Sequence, residues 1–579
     1  MGARAGSYPW IGALSLLLAC GGPEDPAPAD AATDAEGGVN ADAGLDADAM
    51  IPPITGRFNE VAAEVGLTFE HRAGPLPVAL GEDYLMQGTH MSGGAAVADF
   101  DADGFVDLYL PSADADDRLY FGSATGRFED RTSTFALAQP GSSSAAAAAD
   151  IDGDGDSDIF VTTYLGDRHF VFINRLDETP PRFTEEAEAR GLSFAAYAPV
   201  LGFGGAFGDY DLDGYLDLFV SDWGPRATGT ASAARLMHNL GATSPGVFED
   251  VTIAAGVTMD GFQRRNPVAP WGGWVFTVAF TDLDDDGLPD LVVASDFNTA
   301  RIFWSRGDGT FEDGTLLAGF DDVGLGMGLA LADIDGDGRT DVYFSEVGPV
   351  SEALGPDYVL ADGLRDHLFL NLGGRRFAEV GMELGVAYGG WAWGTSFLDV
   401  ERDGSLELFV ANGVTFESPV YLDDPSLLWA REGEVYVDRA AEFGLRSRGQ
   451  GRAALVFDGD ADGDQDLLVV NHIGNLEYFR NEIETPHGFL DVRLQGIRAN
   501  RAGIGAVVSI RIHPGAPLIR QEIVGGAEFC GSVPASAFFG LGPGDAPIDE
   551  LRVRWPTPDR HEQILRDVPR NARIVIVEE

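Results

Sequence analysis

Residues 202–222 read GFGGAFGDYDLDGYLDLFVSD, and residues 235–257 read RLMHNLGATSPGVFEDVTIAAGV. A run of glycine and small apolar residues leads into an acidic loop, Asp209 to Asp217, with the spacing Asp-x-Asp-x-Asp-Gly-x-x-Asp. An alternating apolar strand follows, then a third strand and a Phe-Glu-Asp strand. Period-two alternation marks strands, and the acid and glycine cluster between the first two marks a tight turn. The order recurs with loops beginning at Asp99, Asp150, Asp209, Asp282, Asp333, Asp399 and Asp458, at intervals of 51 to 73 residues. Seven units of four strands predict an all-β chain built as a seven-bladed β-propeller.

The run before each loop is small in side chain, as in Gly93 to Ala96, Ala145 to Ala149 and Gly202 to Ala206. Glycine weakens a strand unless another backbone comes close. This run is therefore assigned to the innermost strand, where the blades converge. The seventh unit has no Phe-Glu-Asp strand after it, but GRFNEVAAEVGL at residues 56–67 has that pattern upstream of the first loop. The amino-terminal segment is expected to complete the last blade, so that the ring has no open edge.

Calcium takes six to eight oxygens, and carboxylates at positions 1, 3, 5 and 9 with a carbonyl near 7 can wrap one ion. The candidate ligands are Asp99, Asp101, Asp103 and Asp107; Asp150, Asp152, Asp154 and Asp158; Asp209, Asp211, Asp213 and Asp217; and Asp282, Asp284, Asp286 and Asp290. The later loops add Asp333, Asp335, Asp337 and Asp341; Asp399, Glu401, Asp403 and Glu407; and Asp458, Asp460, Asp462 and Asp466. Up to seven Ca2+ ions are expected. The sixth site is in doubt because Glu401 and Glu407 add a methylene at two positions. An EF-hand does not fit: its twelfth position falls on Leu110 or Val220, and the flanks alternate like strands. An acidic turn without metal is the plainer alternative. However, the seven loops hold 31 of the 93 acids in about a ninth of the residues, which a uniformly solvating surface would not do.

These repeats resemble the FG-GAP/VCBS family, and Phe203-Gly204-Gly205-Ala206 is close to the pattern behind its name. The resemblance covers about residues 55–483. It implies the ring seen in integrin α heads, with calcium in similar loops on one face. From residue 484 to 579 the acidic repeat stops, and the runs FLDVRL, AVVSIRI, ELRVRW and ARIVIV read as a small β-sandwich. Asn500, Arg501, Gly503, Gly505, Gly540, Gly542 and Trp555-Pro556 resemble the ASPIC/UnbV domain, which follows such repeats in cartilage acidic protein and in exported bacterial proteins. The glycines also read as turns and Trp555 as core.

The net charge of −55, with arginine as the sole base, argues against a nucleic-acid partner. Residues 1–20, MGARAGSYPWIGALSLLLAC, read as an export signal whose Leu17-Leu18-Ala19-Cys20 resembles a lipobox. Cys20 is the candidate lipidation site, giving an outer-membrane or cell-surface lipoprotein with the lipid as its one membrane contact. An ordinary signal peptide would instead give a secreted protein. Residues 21–54 are rich in acids and poor in apolar side chains, which predicts a disordered tether. Cys530 reads as a small packed residue, and with Cys20 lipidated no internal disulfide is available.

On this topology the remaining connections lie across the ring from the acidic loops. They are 68–92 with His71, Tyr84 and His90; 222–234 with Trp223; 260–274 with Arg264, Arg265, Trp271 and Trp274; 345–366; 388–393 with Trp391 and Trp393; and 411–427. Large loops on a rigid scaffold are where binding resides. The tryptophans beside inner-strand glycines read equally as packing between blades. The expected function is an exported, calcium-stabilised binding or adhesion module for an extracellular protein or polysaccharide. A lectin-like propeller and a polysaccharide lyase are the alternatives. No H-E-x-x-H, G-x-S-x-G, P-loop or haem motif occurs, and His71, His90, His238, His367 and His472 have no partner readable in sequence. No catalytic residue is assigned, and the reading leans away from an enzyme.

Overall fold

Each acidic loop is the hairpin between the first two strands of a four-stranded antiparallel sheet. This arrangement comes from a computed structural model that describes residues 55–72, 91–135, 137, 141–197, 199–224, 233–259, 273–347, 365–414 and 424–579. The first twenty residues, Cys20 and the acidic tether lie outside the described residues, as do Tyr84, His90, Arg264, Arg265 and Trp271. In the third sheet Val200–Gly208 pairs with Asp217–Asp222, which pairs with Arg235–Asn239 and then Phe248–Asp250. The order repeats in seven four-stranded units among the described residues, the second and third of them joined in one eight-stranded sheet, and the fold is a β-propeller. Val200 and Leu201 also pair with Gly166 and Tyr164, so the far end of the long second strand Asp158–Gly166 joins the second and third sheets.

The outer strand of the seventh sheet comes from the far end of the chain. Phe58–Glu60 pairs antiparallel with Glu477–Asn481, in the register Phe58 to Asn481. A short helical turn, Ala62–Val65, follows and ends at Gly66 with φ of +100°. A Cβ on Gly66 would meet the Phe128 carbonyl oxygen of the first sheet at 2.5 Å, and the Phe128 N–H donates to Val65 at 2.8 Å. On the other side Gly444 approaches the Phe58 carbonyl in the same way, at 2.4 Å. The Phe58 segment thus has an outer-strand neighbour on both sides, and the ring is continuous.

The carboxy-terminal region forms two facing sheets. One joins Ala537–Pro543, His487–Gln495 and Ala572–Val577; the other joins Ile519–Glu522, Val507–Arg511, Ile548–Arg554 and Glu562–Val568. His487–Gln495 and Ala572–Val577 run parallel, which alternation alone does not reveal. Leu490, Val508, Ile510, Phe539, Leu551 and Trp555 pack between the sheets. The same cluster runs on into Phe160, Ile173, Phe207 and Met237 of the ring. The change of composition near residue 484 is therefore not a boundary of packing.

Residues 523–533, IVGGAEFCGSV, leave this module and enter the axis of the ring. Phe207 N–H donates to Gly525 at 2.7 Å, Ser532 N–H donates to Ala95 at 3.1 Å, and Val97 N–H donates to Ser532 at 3.0 Å. Phe529 packs its ring 5.6 Å from Phe276 and 5.5 Å from Trp393, centroid to centroid. A Cβ on Gly94 would lie 2.0 Å from the Cys530 carbonyl oxygen. The small inner-strand residues thus make room for this inserted segment as well as for neighbouring blades. Cys530 is fully buried there, and burial pushes its thiol far above the ordinary range.

Candidate metal centres

The geometry of each loop begins at its glycine. All seven have positive φ, from +80° at Gly287 to +102° at Gly155. At Gly104, Gly155 and Gly338 a Cβ would meet nothing within 4 Å, so conformation and not space demands glycine there. The turn directs backbone N–H groups inward, and the carboxylates accept them. In every loop the first aspartate accepts the glycine N–H at 2.8–3.0 Å through Oδ2. The fifth-position aspartate accepts the N–H two residues on, as Asp103 does from Phe105 at 2.9 Å. The ninth-position carboxylate accepts the N–H of the second residue, as Asp107 does from Phe100 at 2.7 Å.

These bonds fix the carboxylates while leaving lone pairs that converge. Asp99, Asp101 and Asp107 bring ligand atoms within 4.8 Å of one another, as do Asp150, Asp152 and Asp158, Asp209, Asp211 and Asp213, and Asp282, Asp284 and Asp290. Burial, followed by the hydrogen bonds that oppose it and the charge of neighbouring carboxylates, sets their electrostatics. Asp107 is pushed up to about 8, Asp341 to about 7 and Asp150 to about 6. Asp158, Asp290, Asp466 and Glu407 are held well above the usual carboxylate range. Such a group is costly as an anion unless a cation shares it. Buried oxygens without a hydrogen-bond partner, Asp152 Oδ1, Asp282 Oδ1, Asp458 Oδ1 and Asp460 Oδ1, fit the same donor set. All-oxygen donors of this kind suit a hard divalent cation.

The sixth loop departs from the others. Glu407 accepts the Val400 N–H at 3.1 Å as its counterparts do. Elsewhere the ninth carboxylate also accepts from the third strand, at Gly122, Asn174, Asn239, Ser305, Asn371 and Asn481. No such bond is described for Glu407.

Sequence reasoning missed the asparagines that stitch loops together. Asn174, Asn239, Asn371 and Asn481 end third strands, and each Nδ2 donates to the second-position carbonyl of the preceding loop, at 2.8–3.1 Å. Their recurrence in VFIN, LMHN, LFLN and YFRN was the available signal. Of the aromatic candidates across the ring, Trp223, Trp274, Trp391 and Trp393 are all buried in one cluster with Phe203 and Phe276, so these four serve as packing. His71, His367 and His472 are buried too, while His238 lies against Asp217 with Nδ1 3.1 Å from the carboxylate.

Comparison with known proteins agrees with these repeats. Residues 99–161 and 282–344 match the family described as FG-GAP-like repeat, and residues 496–579 match the family described as ASPIC and UnbV. The chain is similar to cartilage acidic protein 1 of Homo sapiens, 27% identical over 262 residues. That stretch is 44% of this chain and 37% of that protein, so the match spans little more than a third of the relative. Among solved structures, a chain in a crystal structure of BBS1N in complex with ARL6DN, soaked with mercury, is 10% identical with a TM-score of 0.36, covering 68% of this chain and 92% of that one. Rhamnogalacturonan lyase YesW is 13% identical with a TM-score of 0.32, covering 67% and 71%.

Proposed function

We propose that this chain is an exported binding module whose β-propeller is held together by calcium in its acidic loops. The observation that carries the metal reading is the repeated cradle: in all seven loops the same three backbone N–H groups fix carboxylates at positions 1, 5 and 9. Position 3, Asp101 or its equivalent, completes the donor set. Calcium here would neutralise the clustered charge and stiffen the hairpins. With affinities near 0.1 mM and calcium near 1 mM, each site contributes about 1.4 kcal/mol, or on the order of 10 kcal/mol for seven.

The binding surface is assigned to the end of the ring away from these loops. The carboxy-terminal module rests on the acidic-loop side, with Arg554 bonded to Asp282 and His487 to Glu401. At the opposite side, strand ends such as those of Asp217–Asp222 and Arg235–Asn239, or of Asp341–Glu346 and His367–Asn371, are separated by long stretches of sequence. Their length is the reason for placing an extracellular protein or polysaccharide partner there.

Calorimetric titration of chelator-treated protein tests the metal reading. Several calcium sites and a rise in melting temperature of roughly 10 °C are expected; absence of calcium binding would sink it. For the surface, replacing 348–364 by a short Gly/Ser linker should abolish partner capture and leave the calcium titration unchanged.

A further inference from the structure

Two of the seven loops differ from the rest at their first aspartate. In the first, second, third, fifth and sixth loops Oδ1 of that residue accepts a backbone N–H from its own loop. Examples are Asp99 from Asp103 at 3.1 Å and Asp333 from Gly336 at 2.9 Å. In the fourth and seventh loops, Oδ1 of Asp282 and of Asp458 is buried and has no hydrogen-bond partner. Their side chains are only 4% and 9% exposed. In those same two loops Oδ2 takes, besides the glycine N–H, an arginine from the carboxy-terminal module. Arg554 Nη2 lies 2.7 Å from Asp282 Oδ2, and Arg573 pairs with Asp458.

The contacts around each arginine show a built dock. Arg554 Nη1 reaches Asp285 at 3.0 Å, and Arg520 Nη1 reaches the same oxygen at 3.1 Å and the Gly338 carbonyl at 2.9 Å. Glu522 accepts the Thr281 hydroxyl at 2.8 Å and the Asp282 N–H at 3.2 Å. Beside Asp458, Arg573 Nε lies 3.8 Å from Asp491 of the module.

We propose that in the fourth and seventh loops one carboxylate is shared between a divalent cation, on Oδ1, and a guanidinium of the carboxy-terminal module, on Oδ2. Cation binding and docking of the module are thereby coupled. This rests on the metal reading above. Charge permits both guests at once. Arg375, Arg520, Arg554 and Arg560 do not balance Asp282, Asp284, Asp285, Asp286 and Asp290 with Glu522 beside them. In the seventh loop Arg402, Arg480 and Arg573 face Asp458, Asp460, Asp462, Asp464 and Asp466. The excess negative charge leaves room for a divalent ion beside the guanidinium, and the guanidinium on Oδ2 holds the carboxylate with Oδ1 free for the ion; this positioning outweighs the repulsion between the two cations. By linkage, whatever the cation adds to docking, the arginine adds to cation affinity.

The test is calcium calorimetry and hydrogen exchange on the full chain and on R554M/R573M, with R554K as a milder variant. In the wild type, adding calcium should slow exchange in Ile519–Glu522, Ile548–Arg554 and Ala572–Val577 by at least tenfold. In R554M/R573M two sites should lose about tenfold in calcium affinity while the others keep theirs. Exchange in the module should then become insensitive to calcium, although the ring strands still respond. R554K keeps the charge but not the fork and should fall between. An unchanged calcium isotherm in the double variant, with wild-type binding intact, overturns the coupling alone. No calcium binding in the wild type overturns the metal reading and the coupling together. If the double variant does not fold, the single R554K isotherm decides: no shift at any site counts against the coupling.

Discussion

Asp101 and Asp158 occupy the third and ninth positions of their loops but do different work. Asp101 is partly exposed and holds one N–H of its own loop, whereas Asp158 is buried and accepts the N–H groups of Ile151 and Asn174 at 2.9 and 2.8 Å. D101N should therefore lower the melting temperature only in calcium. D158N should destabilise the chelated protein as well, by about 2 kcal/mol, because an amide replaces one acceptor with a donor facing an N–H. Parallel melts with and without chelator check this. Asp117, away from the loops, accepts the Tyr109 hydroxyl at 2.5 Å, the Ser112 N–H at 2.8 Å and the Ser143 hydroxyl at 2.9 Å. Burial raises it to about 7. The folded state then holds this proton more tightly than the unfolded chain, so stability falls as pH rises from about 4 to 7 and is flat above. Chelated protein should melt progressively lower across that window, and D117N should flatten part of the slope. The carboxylates were legible in sequence because their spacing is invariant. Asn174 and Asn239 were not, since a polar residue near a strand end reads as an ordinary stop and its partner lies in another blade; nor was Asp117, which falls outside the repeat and draws its partners from two strands and a turn.

At the level of elements, the strand order within each blade could be read from the repeat, because small inner residues, acidic turn and Phe-Glu-Asp strand differ in composition. The Phe58–Glu60 strand was legible by its pattern, and its pairing with Glu477–Asn481 joins residues more than 400 apart in sequence. Phe58 packs with Leu398, Phe409 and Leu467, and Val61 and Val65 pack with Val97 and Leu108. Deleting residues 55–67 would expose both clusters and open two edges. Such a protein is expected to lose cooperative unfolding by circular dichroism; a deletion that melts with the parent would count against this strand as a closing element. The inserted segment 523–533 was illegible. Nothing in IVGGAEFCGSV marks it as anything but a loop, and its apolar partners Phe276 and Trp393 belong to other blades. F529A should cost about 3–5 kcal/mol, a core truncation at the axis and not a loop change. Urea midpoints would show it.

For the molecule as a whole, the insert and the shared cluster argue that ring and carboxy-terminal module form one folding unit despite their different compositions. Phe539, Leu551 and Trp555 of the module belong to the same apolar cluster as Phe160, Phe207 and Met237 of the ring. The axis of the ring is closed by Phe529 and Cys530, which are buried against inner strands. A ring without the module would expose that lining, and a module without the ring would expose one side of its core. The link between them, around Thr485 and Pro486, carries little of this burial and lies where the chain passes from one to the other. A protease site placed there should be cut without separating the halves. They are expected to co-elute on size exclusion in calcium and to unfold in a single transition, because apolar contacts and the arginine pairs to Asp282 and Asp458 span the cut. Separate elution in calcium, or two well-spaced transitions, would show instead that the halves are independent domains. Chelation should weaken the nicked complex more at low salt than at high salt. Without cations the clustered carboxylates repel one another across the acidic-loop face, and salt screens that repulsion over about 8 Å at physiological ionic strength.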